Sequence, residues 1–435
     1  MSVANRNTAI FGRAALTLMM IAIAAAFGAQ RFPYAWDDSA NYIAMAQGRP
    51  ALMPWAGRIL LPDLAAFLSR TFAIRLNHGF EMIAAFSFVL WIAIVGERWR
   101  TSIWTPVFLI TPLIVTTFQA AYITDGLHMA LVAVFLLMMR HNYRFAAALL
   151  MIVMYTARES SLLLAFISAG VLVWNRNIFG SILVILGWLI GSYVVHRATA
   201  NAYNVHHMPE IIYLFTKMPA NFLRDWLGIR IWTNGYAWCN HPFFVTWVPR
   251  SFHLGVISKI GFCTPSIVEP LSTMASYVTS YGVLPAALIA SLRANRIPPD
   301  KKKEISWVIA FTYGALMTLL GPIAGPPADR AIGFGWPLFL IAIPAICVEV
   351  LTWRIAALQI IASWAPLLFS SLLGPPESVR SFIGISLAPI VSALSLAVGS
   401  LANAVAYRTI RATVAQTQDM GALTFTPNFS DGRQP

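Results

Sequence analysis

Apolar runs long enough to cross a lipid bilayer as helices alternate with shorter polar segments along almost the whole chain. This pattern predicts an all-α polytopic membrane protein, because a helix satisfies all of its own backbone groups in lipid. We predict about twelve spans, at residues 14–29, 79–96, 103–121, 127–139, 145–157, 160–174, 178–195, 273–292, 306–325, 331–351, 355–373 and 381–404. The segments "YITDGLH" and "YTARESS" interrupt two long apolar stretches. We place both at the outer membrane surface, because charged groups are costly inside the bilayer.

Two long polar intervals divide the spans into groups and suggest the domain organisation. We predict a seven-span module over 1–195 that includes an outer loop at 30–78, then a long outer (periplasmic) loop over 196–272. A five-span bundle over 273–411 and a disordered cytoplasmic tail over 412–435 complete the chain. Short loops such as "ERWR" and "RHNYR" are rich in arginine. The positive-inside rule therefore makes their side cytoplasmic, with both termini inside.

The composition supports a membrane protein and makes the acidic residues informative. Hydrophobic residues make up 58% of the chain and charged residues 11%, which is too little polar surface for a soluble protein of this length. The chain has 17 acidic residues against 30 basic ones. It contains no glycine-rich phosphate loop or dinucleotide fingerprint, so nucleotide chemistry is not expected.

Two adjacent carboxylates open the first outer loop in "WDDSANY", at Asp37 and Asp38. Asp38 or Ser39 can cap a short helix that ends at Gly48, with Asp37 in extended chain before it. The next stretch, "RILLPDLAAFLSRTFAI", predicts an amphipathic helix lying in the membrane interface. Its apolar stripe would consist of Leu60, Leu61, Leu64, Phe67 and Leu68. A helix cap without further function is the alternative for the two aspartates.

Further charged residues fall at the outer ends of predicted spans. Asp125 lies in "ITDG", Arg158 and Glu159 lie in "TARES", and Arg58 begins the amphipathic helix. Carboxylates and arginines that converge on one membrane surface predict a recessed polar site. The alternative for each residue is a solvated turn or an anchor that meets anionic lipid headgroups.

The outer loop 196–272 contains the chain's other candidate chemistry. Cys239 and Cys263 lie in what would be an oxidising compartment, so we predict a disulfide, with two separate buried thiols as the alternative. Four tryptophans also lie in this loop, together with His206, His207, His241 and His253. The tryptophans suit either a sugar-stacking surface or an interfacial aromatic belt. The histidines lack the spacing of metal ligands, so we expect no metal there.

The early motifs resemble those of the GT-C glycosyltransferases, which are integral membrane enzymes that use polyprenyl-phosphate-linked sugars. The first resemblance is the spacing of Asp38, Tyr42 and Ala46 before "GRILLPDLAAFL". "TDGLHMALVAVFLL" and "YTARESSLLLAF" are similar to the family's next outer junctions, so that the resemblance covers about 14–195. It implies a GT-C-like fold in a bacterial inner membrane, with an outward-facing active site. The activity implied is transfer of the donor sugar, with inversion, to a hydroxyl of a glycan, lipid or protein acceptor.

The resemblance also implies roles for the charged residues. The catalytic candidates are Asp38 as the general base, Asp37 and Asp125. Arg158, with Arg58 and Glu159, would form the donor phosphate site, because a guanidinium pairs bidentately with phosphate oxygens. No cofactor or nucleic-acid partner is expected. A divalent cation held by the paired aspartates is an alternative that is not favoured.

Two other functions remain open from the sequence. A transporter or flippase would show discontinuous helices at mid-membrane. A glycan ligase or polymerase would place its key basic residues in the late outer loop.

Overall fold

A computed structural model of the chain describes residues 37–50, 52–53, 55–98, 104–109, 111–200, 202–204, 210–233, 239, 241–248, 258–293, 304–324, 332–341, 352–373 and 389–423. The predicted span at 14–29 and the end of the predicted tail lie outside these residues, as does most of the predicted span at 331–351.

The described chain is mainly helical, as the apolar pattern predicts. The helices of the first half are α1 (Asp37–Ala46), α2 (Leu60–Thr71), α3 (Leu76–Arg98), α4 (Thr105–Leu109), α5 (Pro112–Gln119), α6 (Asp125–Arg140), α7 (Arg144–Ala157), α8 (Ser161–Trp174) and α9 (Ile178–Ala198). The helices of the second half are α10 (Glu210–Leu227), α11 (Val268–Tyr281), α12 (Leu284–Arg293), α13 (Ile305–Ala324), α14 (Trp353–Leu373) and α15 (Pro389–Leu423). Short 3-10 turns occupy Trp55–Gly57 and Gly333–Gly335, and a π-helical turn occupies Pro337–Ile341.

Among the described residues, three helices are long and apolar enough to cross a membrane by themselves: Leu76–Gly96, Ile178–Ala198 and Ile390–Thr413. A bent pair, α11 with α12, would make a fourth. Arg144–Ala157, Ser161–Trp174 and Ile305–Gly321 are apolar but shorter. Membrane character is therefore present, whereas the number of twelve spans stays a prediction.

Helix ends in the first half follow the polar interruptions read from the sequence. Helix α6 begins at Asp125 and helix α7 ends at Ala157, so that "ITDG" and "TARES" form junctions between helices. The predicted span at 103–121 differs, because the chain there forms two short helices, α4 and α5.

The predicted span at 273–292 is not one straight helix. Helices α11 and α12 meet at an angle of 75°. Gly282 adopts a φ of +58° at the break, where a residue with a Cβ would be strained. The backbone groups released there are bound by side chains: Val283 N donates to Gln359 at 2.8 Å, and Asn403 donates to the Gly282 carbonyl at 2.9 Å. A run of apolar residues in the sequence predicts the length of a helical region but not a bend within it.

The C-terminal prediction also needs a correction. Helix α15 continues to Leu423, so the chain is helical beyond residue 412, where we predicted a disordered tail.

The described residues also form five short strands. Leu52–Met53 (β1) pairs in parallel with Tyr203–Asn204 (β2), which ties the segment between α1 and α2 to the chain after α9. The other three form an antiparallel sheet in the order β3-β5-β4, with β3 at Ile231–Thr233, β4 at Phe244–Trp247 and β5 at Lys259–Phe262. Cys239 and Cys263 are joined by a disulfide beside this sheet, which confirms the predicted pairing.

Two hydrophobic cores hold the helices together. The larger one lies between the helices of both halves and includes Trp91, Phe135, Tyr313 and Trp336. The smaller one packs α1 and α2 on α3 through Tyr42, Leu61, Ala65, Phe80, Ile83 and Ile123. Because this second core fixes α1 and α2, it also fixes the charged residues that those segments carry.

The amphipathic helix predicted after Arg58 is present as α2, but its buried face differs from the predicted stripe. Leu61 and Ala65 are buried, whereas Phe67 is 58% exposed. The small residues Ala65 and Ala66 allow close packing and occupy the face that the larger apolar residues were expected to take.

Candidate functional site

Helix α1 places Asp38 in its first turn. The helix begins at Asp37, so Asp37 is helical and not in extended chain, and Asp38 is the second helical residue and not the cap. The Asp38 carboxylate accepts a hydrogen bond from the Trp55 indole N–H at 2.6 Å. A carboxylate in the first turn also meets the positive end of the helix dipole, which favours its ionised form.

Arg58 connects helix α1 to the turn after helix α7. Its Nε and Nη2 donate to the two carboxylate oxygens of Glu159 at 2.9 and 2.5 Å, which is a bidentate ion pair. Its Nη1 donates to the Tyr42 hydroxyl at 2.9 Å. Tyr42 lies one helical turn after Asp38, so that both side chains share a face of α1. Asp38 therefore lies on the face of α1 whose Tyr42 hydroxyl binds Arg58.

The ion pair sets the charge of both partners. Burial alone would raise the pKa of the Glu159 carboxyl, but Arg58 outweighs it and, together with Arg158, lowers that pKa to about 2. Burial would lower the pKa of Arg58, and the neighbouring Glu159 and Tyr42 raise it well above its usual value. Both groups are therefore charged at neutral pH.

A second ion pair joins Arg158 to Asp125. The Arg158 guanidinium donates through Nη1 to the carboxylate of Asp125, which is 1% exposed and opens helix α6. The guanidinium carbon also lies 4.3 Å from the ring centroid of Phe334. Because Arg158 and Glu159 are adjacent in the chain, the two ion pairs meet at one junction between helices.

The structure brings four of the six residues predicted for the site together in two ion pairs: Arg58 with Glu159 and Arg158 with Asp125. A fifth, Asp38, lies one helical turn before Tyr42, the hydrogen-bond partner of Arg58. The sixth, Asp37, is placed only through its backbone at the start of α1. Arg58 and Arg158 were expected to face a ligand phosphate, and in the structure each is paired with a carboxylate. Sequence reasoning named the charges but not these pairs.

Three further residues of the site were not predicted. His128 is fully buried, and its Nε2 lies 3.3 Å from the Ser160 hydroxyl. Its position one helical turn after Asp125 in "TDGLH" was a readable signal, since residues three apart share a helix face. Ser160 directly follows Glu159. Phe334 contacts both Arg158 and His128, and nothing in the sequence near it indicated this.

The arrangement suits acid–base and anion chemistry. It combines a carboxylate at a helix start with two arginines that are almost buried, since the side chains of Arg58 and Arg158 are 10% and 14% exposed. Within the described parts of the chain, no group of three or more His, Cys, Asp or Glu side chains is arranged to hold a metal ion.

Comparison with protein-family models, with curated proteins and with solved structures finds no match to this chain. The geometry of the site and the motifs in the sequence therefore carry the functional argument.

Proposed function

We propose that this protein is a GT-C-like membrane glycosyltransferase. It would transfer a sugar, with inversion, from a polyprenyl-phosphate donor to an acceptor hydroxyl at the outer face of a bacterial inner membrane. The observation that supports this most is the two ion pairs Arg58–Glu159 and Arg158–Asp125, because they join residues from three separate predicted junctions. A transfer site needs a base and a phosphate-binding group side by side, and this cluster supplies both residue types.

Asp38 is the proposed general base. It takes the proton from the acceptor hydroxyl as that oxygen attacks the anomeric carbon, and the bond to the donor phosphate breaks on the opposite side. The helix dipole and the Trp55 hydrogen bond keep Asp38 ionised and oriented. An acceptor can be a glycan, a lipid or a protein.

Arg158 and Arg58 are the proposed phosphate-binding groups. A guanidinium carries five N–H donors, so it can hold a carboxylate and a phosphate oxygen at once. The pair between Arg58 and Glu159 is the accessible one, because the Glu159 side chain is 47% exposed. Negative charge that develops on the departing phosphate would then be stabilised by groups already in place.

The surroundings are consistent with a donor that approaches from lipid. Helix α2 runs beside the site and exposes Phe67, and Phe72 follows directly after it, with 58% and 61% of their surfaces accessible. Aromatic side chains of this kind partition into a membrane interface.

A transporter or flippase is the second candidate, because α11 and α12 form one broken helix. Discontinuous helices hold substrates or ions in many transporters through their free backbone groups. Here, however, Gln359 and Asn403 already bind the groups at the break. A ligase or polymerase is less favoured, because the Arg224–Asp225 pair of the predicted late outer loop is enclosed, with side chains 9% and 5% exposed, whereas Glu159, the partner of Arg58, is 47% exposed.

The test is donor consumption by purified protein. The protein in nanodiscs is mixed with polyprenyl-phosphate sugars that differ in the sugar, and the release of polyprenyl phosphate is followed by mass spectrometry. Hydrolysis or transfer with at least one donor is expected, and Asp38→Asn is the matched control. Folded protein that consumes none of them, but moves a labelled donor across proteoliposomes, would favour the transporter.

A further inference from the structure

Phe334, in the C-terminal half of the chain, contacts two residues of the candidate site. We infer that Phe334 is a positioning residue. Its ring holds the Arg158 guanidinium in the position and orientation in which it binds Asp125 and would bind an anionic ligand. The role in transfer rests on the proposed function, whereas the positioning of Arg158 does not.

The Arg158 guanidinium lies over the face of the Phe334 ring. The Arg158 guanidinium carbon lies 4.3 Å from the centroid of the Phe334 ring, which is within the range of a cation–π interaction. A guanidinium is planar, and its N–H donors point outward in that plane. A ring that covers one face leaves these donors directed sideways, where the Asp125 carboxylate accepts one of them. The ring therefore restricts the direction of hydrogen bonding without competing for it.

The Phe334 ring also contacts His128, the buried histidine of the site. Phe334 meets the ring of His128 edge-on, with centroids 5.7 Å apart and an interplanar angle of 69°. His128 in turn lies against the Ser160 hydroxyl, two residues after Arg158. Phe334 therefore contacts the turn that carries Arg158 and Glu159 directly, and through His128 as well.

Phe334 is itself held tightly by the C-terminal bundle. It is 3% exposed and lies between two glycines in the 3-10 turn Gly333–Gly335. A Cβ on Gly335 would lie 2.1 Å from the Thr318 hydroxyl of α13, so the turn packs there without space for a side chain. The Tyr281 hydroxyl of α11 donates to the carbonyl of Ile332 just before the turn. The ring is therefore fixed from α11 and α13, and movement of these helices would move Arg158.

The experiment measures the reactivity of Arg158 directly. Purified protein is treated with phenylglyoxal, which modifies accessible arginines, and the rate at Arg158 is followed by mass spectrometry. Phe334→Leu keeps apolar volume but removes the ring, and should raise the Arg158 rate several-fold, in line with the loss of a cation–π contact of about 1 kcal/mol, or roughly fivefold. Phe334→Tyr keeps the ring face and should keep the parent rate.

Phe339→Leu is the matched control. Phe339 is also buried, at 6% exposed, lies five residues further along, and stacks on Tyr281. The inference fails if Phe334→Leu leaves the Arg158 rate unchanged, or if Phe339→Leu raises it equally. If Phe334→Leu does not fold, Phe334→Met is measured in its place.

Turnover of a donor sugar distinguishes the positioning of Arg158 by Phe334 from the proposed role of Arg158 in sugar transfer. If the parent protein turns over a donor, Phe334→Leu should lower that turnover about fivefold and Phe334→Tyr should restore it. A parent protein that turns over no donor counts against the proposed function. The phenylglyoxal rates still decide the positioning role in that case.

Discussion

Two sets of ion pairs in this protein are built differently. At the candidate site, Arg58 pairs with Glu159 at a separation of 101 positions in sequence, and Arg158 pairs with Asp125 at a separation of 33. In helix α10, Arg224 pairs with its own neighbour Asp225 through two hydrogen bonds of 2.6 Å. The first set joins segments that are distant in sequence, whereas the second set neutralises charge within one helix.

The two sets also differ in access. In the first set Glu159 is open, at 47% exposed, whereas Arg158 and Asp125 are 14% and 2% exposed. In the second set both partners are enclosed, because Arg224 and Asp225 are 9% and 5% exposed. A pair that is open on one side can exchange its partner for a ligand at low cost. A pair that is enclosed loses much more when one partner is removed, because the remaining charge stays buried. We therefore expect the first set to matter for activity and the second for stability.

The largest effect is expected at Asp38, which lies one helical turn before Tyr42, the hydrogen-bond partner of Arg58. Asp38→Asn keeps the shape and can still accept the Trp55 hydrogen bond, but it removes the base. Transfer should fall by about 10²- to 10⁴-fold, the usual contribution of general base catalysis. Initial rates of polyprenyl phosphate release give the measurement. Asp37→Asn should cost clearly less, and near-normal turnover in folded Asp38→Asn would reduce Asp38 to a structural residue of the helix start.

The next effect separates the two sets directly. Arg158→Ala should lower donor turnover about 10²- to 10³-fold, the loss seen when one preorganised charge-stabilising donor is removed. Arg158→Lys should fall between, because it keeps a charge for Asp125 but loses the planar fork.

Arg224→Ala is the matched control for Arg158→Ala, because it removes the arginine of the enclosed Arg224–Asp225 pair. It should leave the turnover of folded protein near that of the parent, while it destabilises the protein by roughly 3 kcal/mol through the buried Asp225 left alone. Thermal unfolding in detergent measures the second quantity. Equal losses of turnover in Arg158→Ala and Arg224→Ala would remove the distinction between the sets.

The fold was predictable from sequence where charge interrupts apolar runs. Helix α6 begins at Asp125 and helix α7 ends just before Arg158, as predicted from the cost of placing a charged group inside a membrane. This rule needs no knowledge of other parts of the chain. The break at Gly282 was not predictable. Its backbone groups are bound by Gln359 and Asn403, which lie 76 and 121 positions away from the residues they contact. Such a break depends on tertiary contacts that local hydropathy does not contain.

The site shows the same limit. Sequence reasoning grouped Asp38, Arg58 and Arg158 because junctions on one membrane surface lie near one another. It did not predict which charge pairs with which, since that depends on the angles at which α1, α2 and α7 pack. The contact of Phe334 with the site could not be predicted from the sequence, because Phe334 lies more than a hundred residues after Arg158.

The smallest effect concerns pH, and there the two sets differ in sign. The pKa of Glu159 is lowered to about 2 from its usual 4.5, while burial, with Glu269 nearby, raises the pKa of Asp225 above 3.8 despite Arg224. The Glu159 contribution to stability is therefore complete above about pH 4.5 and is lost as the pH falls towards 2. The contribution of Asp225 runs the other way: it is complete below pH 3.8 and is lost as the pH rises through its folded pKa.

Melting temperatures between pH 3 and 6 test these two directions. Relative to the parent, Glu159→Gln should lose more stability at pH 6 than at pH 3. Asp225→Asn should lose more at pH 3 than at pH 6, and parallel pH curves for the two variants would contradict the assigned directions.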